Sequence, residues 1–250
     1  MSAASAAASS AAEVAVEAAA ARDLAQLDGA VSRCRACPRL VTWREEIATT
    51  KRASFSTEEY WGRPVPGFGP TDARIGVLGL APAAHGGNRT GRVFTGDRSG
   101  DVLFAAMHRA GLANQPLSVR ADDGLILTGT RVFAAVRCAP PENKPTPTER
   151  DDCAPWLHRE VTLIRPTLRV VVALGGFAWK AWFPTLKAVY GQVVTPRPVF
   201  GHARECHGGP EAPTLLGCYH VSQQNTFTGR LTPTMLDGVL ARAKQLAGLE

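Results

Sequence analysis

The sequence predicts an α/β protein with a mostly parallel four-stranded sheet covered by helices on both faces. Four short aliphatic runs, at residues 74–79, 131–136, 168–174 and 214–219, lack the polar/apolar alternation of half-exposed strands and read as strands buried on both sides. Stretches of helical character lie between and after them, at residues 100–110, 149–164, 176–186 and 234–246. Strands alternating with helices require crossover connections, which is what makes the sheet parallel. The second helix opens with Thr146-Pro147-Thr148-Glu149, a capping-box pattern that fixes its start. In such sheets a ligand site forms where loops leave the carboxyl ends of the strands, here the loops starting at Leu80, Arg137, Gly175 and His220.

The remaining composition narrows the class. In 250 residues, 45% are hydrophobic and 20% charged, and no apolar run approaches the ~20 residues needed to span a bilayer, so a membrane protein is excluded. Lys and Arg number 28 against 22 Asp and Glu, and the resulting +6 charge with a pI of about 9.2 suits a phosphate-bearing partner without naming it. The first 21 residues hold 12 alanines, and no Lys or Arg precedes Arg22, so this stretch lacks the basic start of a secretory signal. Residues 1–25 are therefore expected to be a disordered, Ala-rich tail, and residues 26–250 a single domain in the reducing cytosol.

Six cysteines are too few for a disulfide scaffold. Cys34 and Cys37 form a Cys-Arg-Ala-Cys pair, Cys138 follows 101 positions later and Cys153 another 15 on. Four thiolates gathered by the fold suit a [4Fe-4S] cluster or a tetrahedral zinc. A redox dithiol is the competing reading, although this pair lies upstream of any strand rather than inside a βαβ unit. Cys206 and Cys218 read instead as small buried hydrophobes.

The loop after the first strand runs from Gly79-Leu80-Ala81-Pro82-Ala83 through Asn88-Arg89-Thr90-Gly91-Arg92 to Phe94-Thr95-Gly96-Asp97. Its glycines allow close backbone approach to a ligand, and it is neither a GxGxxG turn nor a Walker A loop. Loops this long are uncommon in compact domains unless they serve a function.

Together with Arg137-Cys138-Ala139-Pro140-Pro141-Glu142-Asn143-Lys144-Pro145 and His220-Val221-Ser222-Gln223-Gln224-Asn225-Thr226-Phe227-Thr228-Gly229-Arg230-Leu231, this loop resembles the uracil-DNA glycosylase superfamily, most closely its family 5 branch of broad-specificity iron-sulfur enzymes. The resemblance runs from about Cys34 to the C-terminus. It implies a three-layer αβα sandwich, a [4Fe-4S] cluster on Cys34, Cys37, Cys138 and Cys153, and hydrolysis of the N-glycosidic bond of uracil in double-stranded DNA. The product is an abasic site, and the enzyme is expected to be a monomer working on DNA in the cytoplasm, held to the nucleoid through that DNA. Ala81 stands where other families carry an acidic or amide residue, and Asn88 stands where close relatives place the residue associated with the attacking water; an amide positions water but cannot deprotonate it.

A glycosylase must extrude its base from the stack. Phe94 offers it a flat apolar face, Asn143 a donor and an acceptor for its edge, and His220 a hydrogen bond to the departing anion. Asn143 equally suits a plain turn before Pro145. Arg89 and Lys144 are expected on phosphates, and Asn225, Arg230 and Leu231 in the loop that enters the minor groove, with Leu231 either a wedge or a packing residue under the last helix. With no carboxylate at Ala81, the edge reading is loose, and hypoxanthine and other deaminated bases are expected substrates beside uracil. A non-catalytic iron-sulfur protein that binds damaged DNA is the alternative.

Overall fold

The four apolar runs become β1 (Ile75–Gly79), β2 (Thr130–Ala134), β3 (Val170–Leu174) and β5 (Thr214–Cys218), every neighbouring pair parallel and in register, as in Val77 opposite Val132 and Val172 opposite Leu216. The computed structural model describes residues 7–249. A fifth strand, β4 (Glu205–Cys206), adds an antiparallel edge to β5, so the sheet runs β2-β1-β3-β5-β4 and holds five strands rather than the expected four. Two residues are too short to register as an apolar run; only pairing with β5 defines them.

Side chains alternate across the sheet as the two-residue strand period requires. Leu78, Phe133, Val171, Ala173 and Leu215 point into one core, and Ile75, Val77, Val132, Val172 and Leu216 into the other. The first core is closed by α6 (Pro147–Ile164) and α7 (Gly175–Tyr190), the second by α5 (Arg98–Arg109) and α9 (Pro233–Ala247). The result is the expected three-layer αβα sandwich. The capping box is present, with Thr146 accepting from the Glu149 N–H and Glu149 from the Thr146 N–H. Inside the first layer Glu160 is buried between Arg131, at 2.6 Å, and Arg137, the paired arrangement that a buried carboxylate needs.

The expected disordered tail is corrected by the fold. Residues 1–6 lie outside the described residues, but α1 (Ala11–Ala20) is a helix capped by Ser10, with Val14 and Ala18 buried against α6. Arg159 of α6 donates to the Ala21 carbonyl at 2.8 Å. Alanine is the strongest helix former, yet ten residues are marginal alone; the small side chains permit close packing on α6, which supplies what local propensity lacks. α2 (Leu24–Arg33) and α3 (Pro38–Thr50) follow, with Cys34 ending one and Cys37 opening the other.

From β1 the chain steps outward to β2 and then back to β3 on the other side. The order of strands thus reverses beside β1, and the crevice at the carboxyl ends of β1 and β3 is the place where open α/β sheets bind ligands. Three of the four expected loops open there. At Gly175 there is none: α7 starts directly from β3, with Gly175 at φ 88°.

Candidate active site

The loop after β1 is built from the inside. Arg89 donates from Nε to the His85 carbonyl at 2.9 Å and from Nη2 to the Gly96 carbonyl at 2.9 Å, pairs with Glu58, and lies over the Phe55 ring. Arg92 pairs with Asp123 at 2.7 Å and donates to Ser118 and Thr95. Three glycines then make room for what the loop presents. A Cβ on Gly79 would strike the Phe94 ring at 2.8 Å, one on Gly86 the Asp97 carboxylate at 2.0 Å, and one on Gly100 the Phe94 carbonyl at 1.8 Å. Phe94 itself sits at φ 51°, left-handed backbone that costs a bulky L-residue energy and persists only where surroundings enforce it. Glu142 and Asn143, in the loop after β2, are also left-handed at φ 54° and 57°.

These loops border a cleft of about 460 Å³ lined by Leu80, Ala81, Phe94, Asp97, Asn143 and His220. Four of the residues expected at the substrate, Ala81, Phe94, Asn143 and His220, meet there. The His220 and Phe94 rings stand 6.3 Å apart and tilted by 42°. Burial lowers the pKa of His220, so the imidazole is neutral at pH 7 and has one N–H to donate. Asn225 does not face the cleft as expected: its Nδ2 donates to the His220 carbonyl at 2.8 Å and so fixes the turn carrying the imidazole.

Three further expectations are redistributed. Asn88, expected on the attacking water, does not line the cleft; it is fully buried in the one-turn helix α4 (Gly87–Thr90), with Nδ2 donating to the Arg44 carbonyl at 3.1 Å and Oδ1 without a partner among the described residues. Arg89, expected on phosphate, is consumed by the internal bonds above. Leu231, expected as a possible wedge, is only 2% exposed and packs into the second core with Leu236 and Leu240. The exposed apolar residue of that loop is Phe227, 76% exposed at the end of α8 (Gln223–Phe227). Arg230 and Lys144 do reach solvent, Arg230 resting 4.9 Å over the Tyr219 ring and Lys144 paired with Glu142 at 3.0 Å. Sequence reading missed Asp97, whose only local signal is the cap pattern Asp-Arg-Ser-Gly, and missed Arg44, which carries none.

The fold also gathers Cys34, Cys37, Cys138 and Cys153 around one small enclosed cavity with Arg44 and Trp156. Burial and the neighbouring thiols push Cys37 up to about 12, and burial raises Cys138 to about 11 against the opposing effect of Arg44. The buried Arg44 donates from Nη1 to Cys138 Sγ at 2.9 Å and from Nη2 to the Cys34 carbonyl at 3.0 Å. The Arg137 N–H points to Cys153 Sγ at 3.4 Å. Among the described residues no three ligand-type side chains converge as a single ion would require. Cys206 and Cys218 lie in opposite cores, in keeping with the packing role expected of them.

A nucleotide-sized cleft at the switch point, closed by an aromatic face, an amide and a neutral imidazole, defines the class, and residues 66–244 match the family model described as the uracil DNA glycosylase superfamily. The chain belongs to that superfamily, and specifically to its type-5 branch. It is 57% identical over 227 residues, 91% of this chain and 83% of the relative, to a type-5 uracil-DNA glycosylase of Mycobacterium tuberculosis. It is 53% identical over 219 residues, 88% and 96% of the two chains, to a protein of the same description from Thermus thermophilus. A type-4 uracil-DNA glycosylase of Thermotoga maritima is 34% identical over 67% of this chain and 76% of its own.

Proposed function

We propose that the chain is a monofunctional DNA-repair glycosylase that hydrolyses the N-glycosidic bond of uracil in double-stranded DNA, takes hypoxanthine and other deaminated bases as well, and leaves an abasic site. The observation that carries this reading is the meeting of Phe94, Asn143 and His220 around one cleft at the carboxyl ends of the strands. An extruded base stacks on Phe94, its polar edge meets the Asn143 amide, and the neutral His220 donates to the oxygen on which charge grows as the bond breaks. Asn225 and Asn88 serve from behind: one fixes the His220 turn, the other ties the loop after β1 to α3. Among the described residues no lysine lines the cleft, which supports hydrolysis by water without a Schiff base. On the DNA side, Lys144 and Arg230 meet phosphates, and Phe227 takes the wedge position expected of Leu231.

Cys34, Cys37, Cys138 and Cys153 would hold a [4Fe-4S] cluster, one thiolate per iron. The donor chemistry fits: four thiols line one cavity, and the buried Arg44 guanidinium donates to one of them. When bound, the cluster supplies a covalent tie among α3, the loop after β2 and α6. The protein is read as a monomer acting on DNA in the cytoplasm, and no helix among the described residues is long and apolar enough to cross a membrane.

The test is incubation with duplex carrying one central deoxyuridine, followed by sizing with and without alkali. Alkali-dependent cleavage at that position is expected. Cleavage without alkali, or an adduct trapped by borohydride, contradicts hydrolysis, and tight binding without any abasic product favours the non-catalytic alternative. His220→Ala is expected to slow base release by ~100-fold, since removing one charge-stabilising donor commonly costs that much.

A further inference from the structure

Two carboxylates line the cleft: Glu142 is paired with Lys144 at 3.0 Å, and Asp97 has no role in base recognition or leaving-group stabilisation. Asp97 caps α5, its Oδ1 accepting from the Gly100 N–H at 2.9 Å, while its Oδ2 packs against Gly86, where any side chain would collide with it. The residue lines both the base cleft and an adjoining, more open cleft of about 670 Å³, and Asn143 borders both as well. Asp97 thus occupies the seam between the two clefts. Its position is fixed by the cap on one oxygen and by the close approach of Gly86 to the other, the kind of support that holds a reacting group in place.

We propose that Asp97 is the catalytic carboxylate that positions and deprotonates the attacking water. This rests on the glycosylase reading above. The water oxygen forms a bond to C1′ of the deoxyribose as the C1′–N1 bond breaks, the bonding pair leaves with the uracil as its anion, and the water proton passes to the Asp97 carboxylate. His220 donates its hydrogen bond to that anion throughout. The assignment supplies a base where Ala81 has none and where Asn88 is turned inward. Burial raises the pKa of Asp97 above the ordinary carboxylate range, opposed by the Gly100 and Ser99 N–H groups; Asp101 adds to the rise and Arg89 opposes it. A raised pKa makes the carboxylate a better proton acceptor near neutrality. The other titratable or charged groups bordering the two clefts are His220 and Glu142 on one side and His85, Arg52 and Arg98 on the other.

The test uses Asp97→Asn, which keeps a capping oxygen but cannot take a proton, and Asp97→Ser, which keeps a cap in a shorter form. Single-turnover excision from uracil duplex is measured across pH, with melting temperature and affinity for the same duplex measured alongside. For Asp97→Asn, affinity is expected within about threefold of wild type, while the rate falls ~100-fold or more. The wild-type rate is expected to rise with pH through an inflexion above the usual carboxylate range, and both variants are expected to lose that limb. Variant rates within about fivefold of wild type with the limb intact overturn the proposal. If Asp97→Asn does not fold, Asp97→Ser decides by the same criteria. A wild-type protein that leaves uracil in place removes the glycosylase reading itself, whereas an active wild type with active variants removes only the role of Asp97.

Discussion

The loop after β1 and the loop after β5 have similar compositions and opposite construction. Both are polar, both contain glycine, and both carry arginines. In the first, Arg89 and Arg92 are buried and spend their donors on Glu58, Asp123 and backbone carbonyls. In the second, Arg230 is exposed, resting only on Tyr219, and Phe227 stands in solvent. A basic residue near a nucleic-acid site therefore need not face the nucleic acid. In the first loop the charge holds a Phe and an Asp in place; in the second it is left available to a partner.

Removing one arginine of each kind separates the two constructions most widely. Arg92→Ala leaves Asp123 without its cation and is expected to cost about 3–5 kcal/mol of stability in urea denaturation, the usual result of removing one partner of a buried pair. Arg230→Ala is expected to change stability by less than about 0.5 kcal/mol. Equal losses would mean the two loops are built alike.

Next in size is the exchange between Leu231 and Phe227. Leu231→Ala is expected to lose about 2–4 kcal/mol as a core truncation and to affect excision from paired and single-stranded uracil equally. Phe227→Ala is expected to leave stability unchanged and to hurt excision of uracil opposite adenine more than opposite guanine or in a single strand, because unpairing is least costly in the last two. Reversal of these patterns in single-turnover assays would return the wedge to Leu231.

The anchor of the first loop also has a pH signature. Burial alone would raise the pKa of Asp123, but Arg92 and the Leu125, Val119 and Arg120 N–H groups outweigh it and hold the group down at about 2. A folded-state pKa below the ordinary value means that the stabilisation is complete above about pH 4 and is lost as pH falls toward 2. The stability gap between wild type and Asp123→Asn, on the order of 1 to 2 kcal/mol, is expected to close across that window. A gap independent of pH would place the contribution elsewhere.

The smallest effect is on binding. Arg230→Ala is expected to lower the slope of log affinity against log salt by about one, the share of one phosphate contact, and Arg89→Ala is not expected to change it if the variant folds. A lower slope for Arg89→Ala would put its guanidinium on the DNA after all.

The layer architecture was legible because it follows from local rules. Continuous aliphatic runs make buried parallel strands, and Thr146 through Glu149 make a helix start wherever the chain goes. His220 was legible because it lies just past the end of β5, and Phe94 and Asn143 because the loop segments that carry them resemble the motifs of a known superfamily. The direction of a side chain within a loop was not. Asn88, Arg89, Arg92, Phe94 and Asp97 are close in sequence, yet two of them face the cleft and three face inward.

The order along the chain of the four parallel strands and of the helices between them, and the residue types of the loops that leave their carboxyl ends, were written in the sequence. Which loop residues build the site and which face into it emerged only on folding. The ordering of Ala11–Ala20 needed α6 to bury its small face, and β4 needed β5 to exist at all. Arg44 reached Cys138 across 94 positions of chain. The physical reason is common to these cases: the energy of a buried pair, a cap or a packed face is realised only when distant segments exclude water from it, and no local pattern records where that will happen.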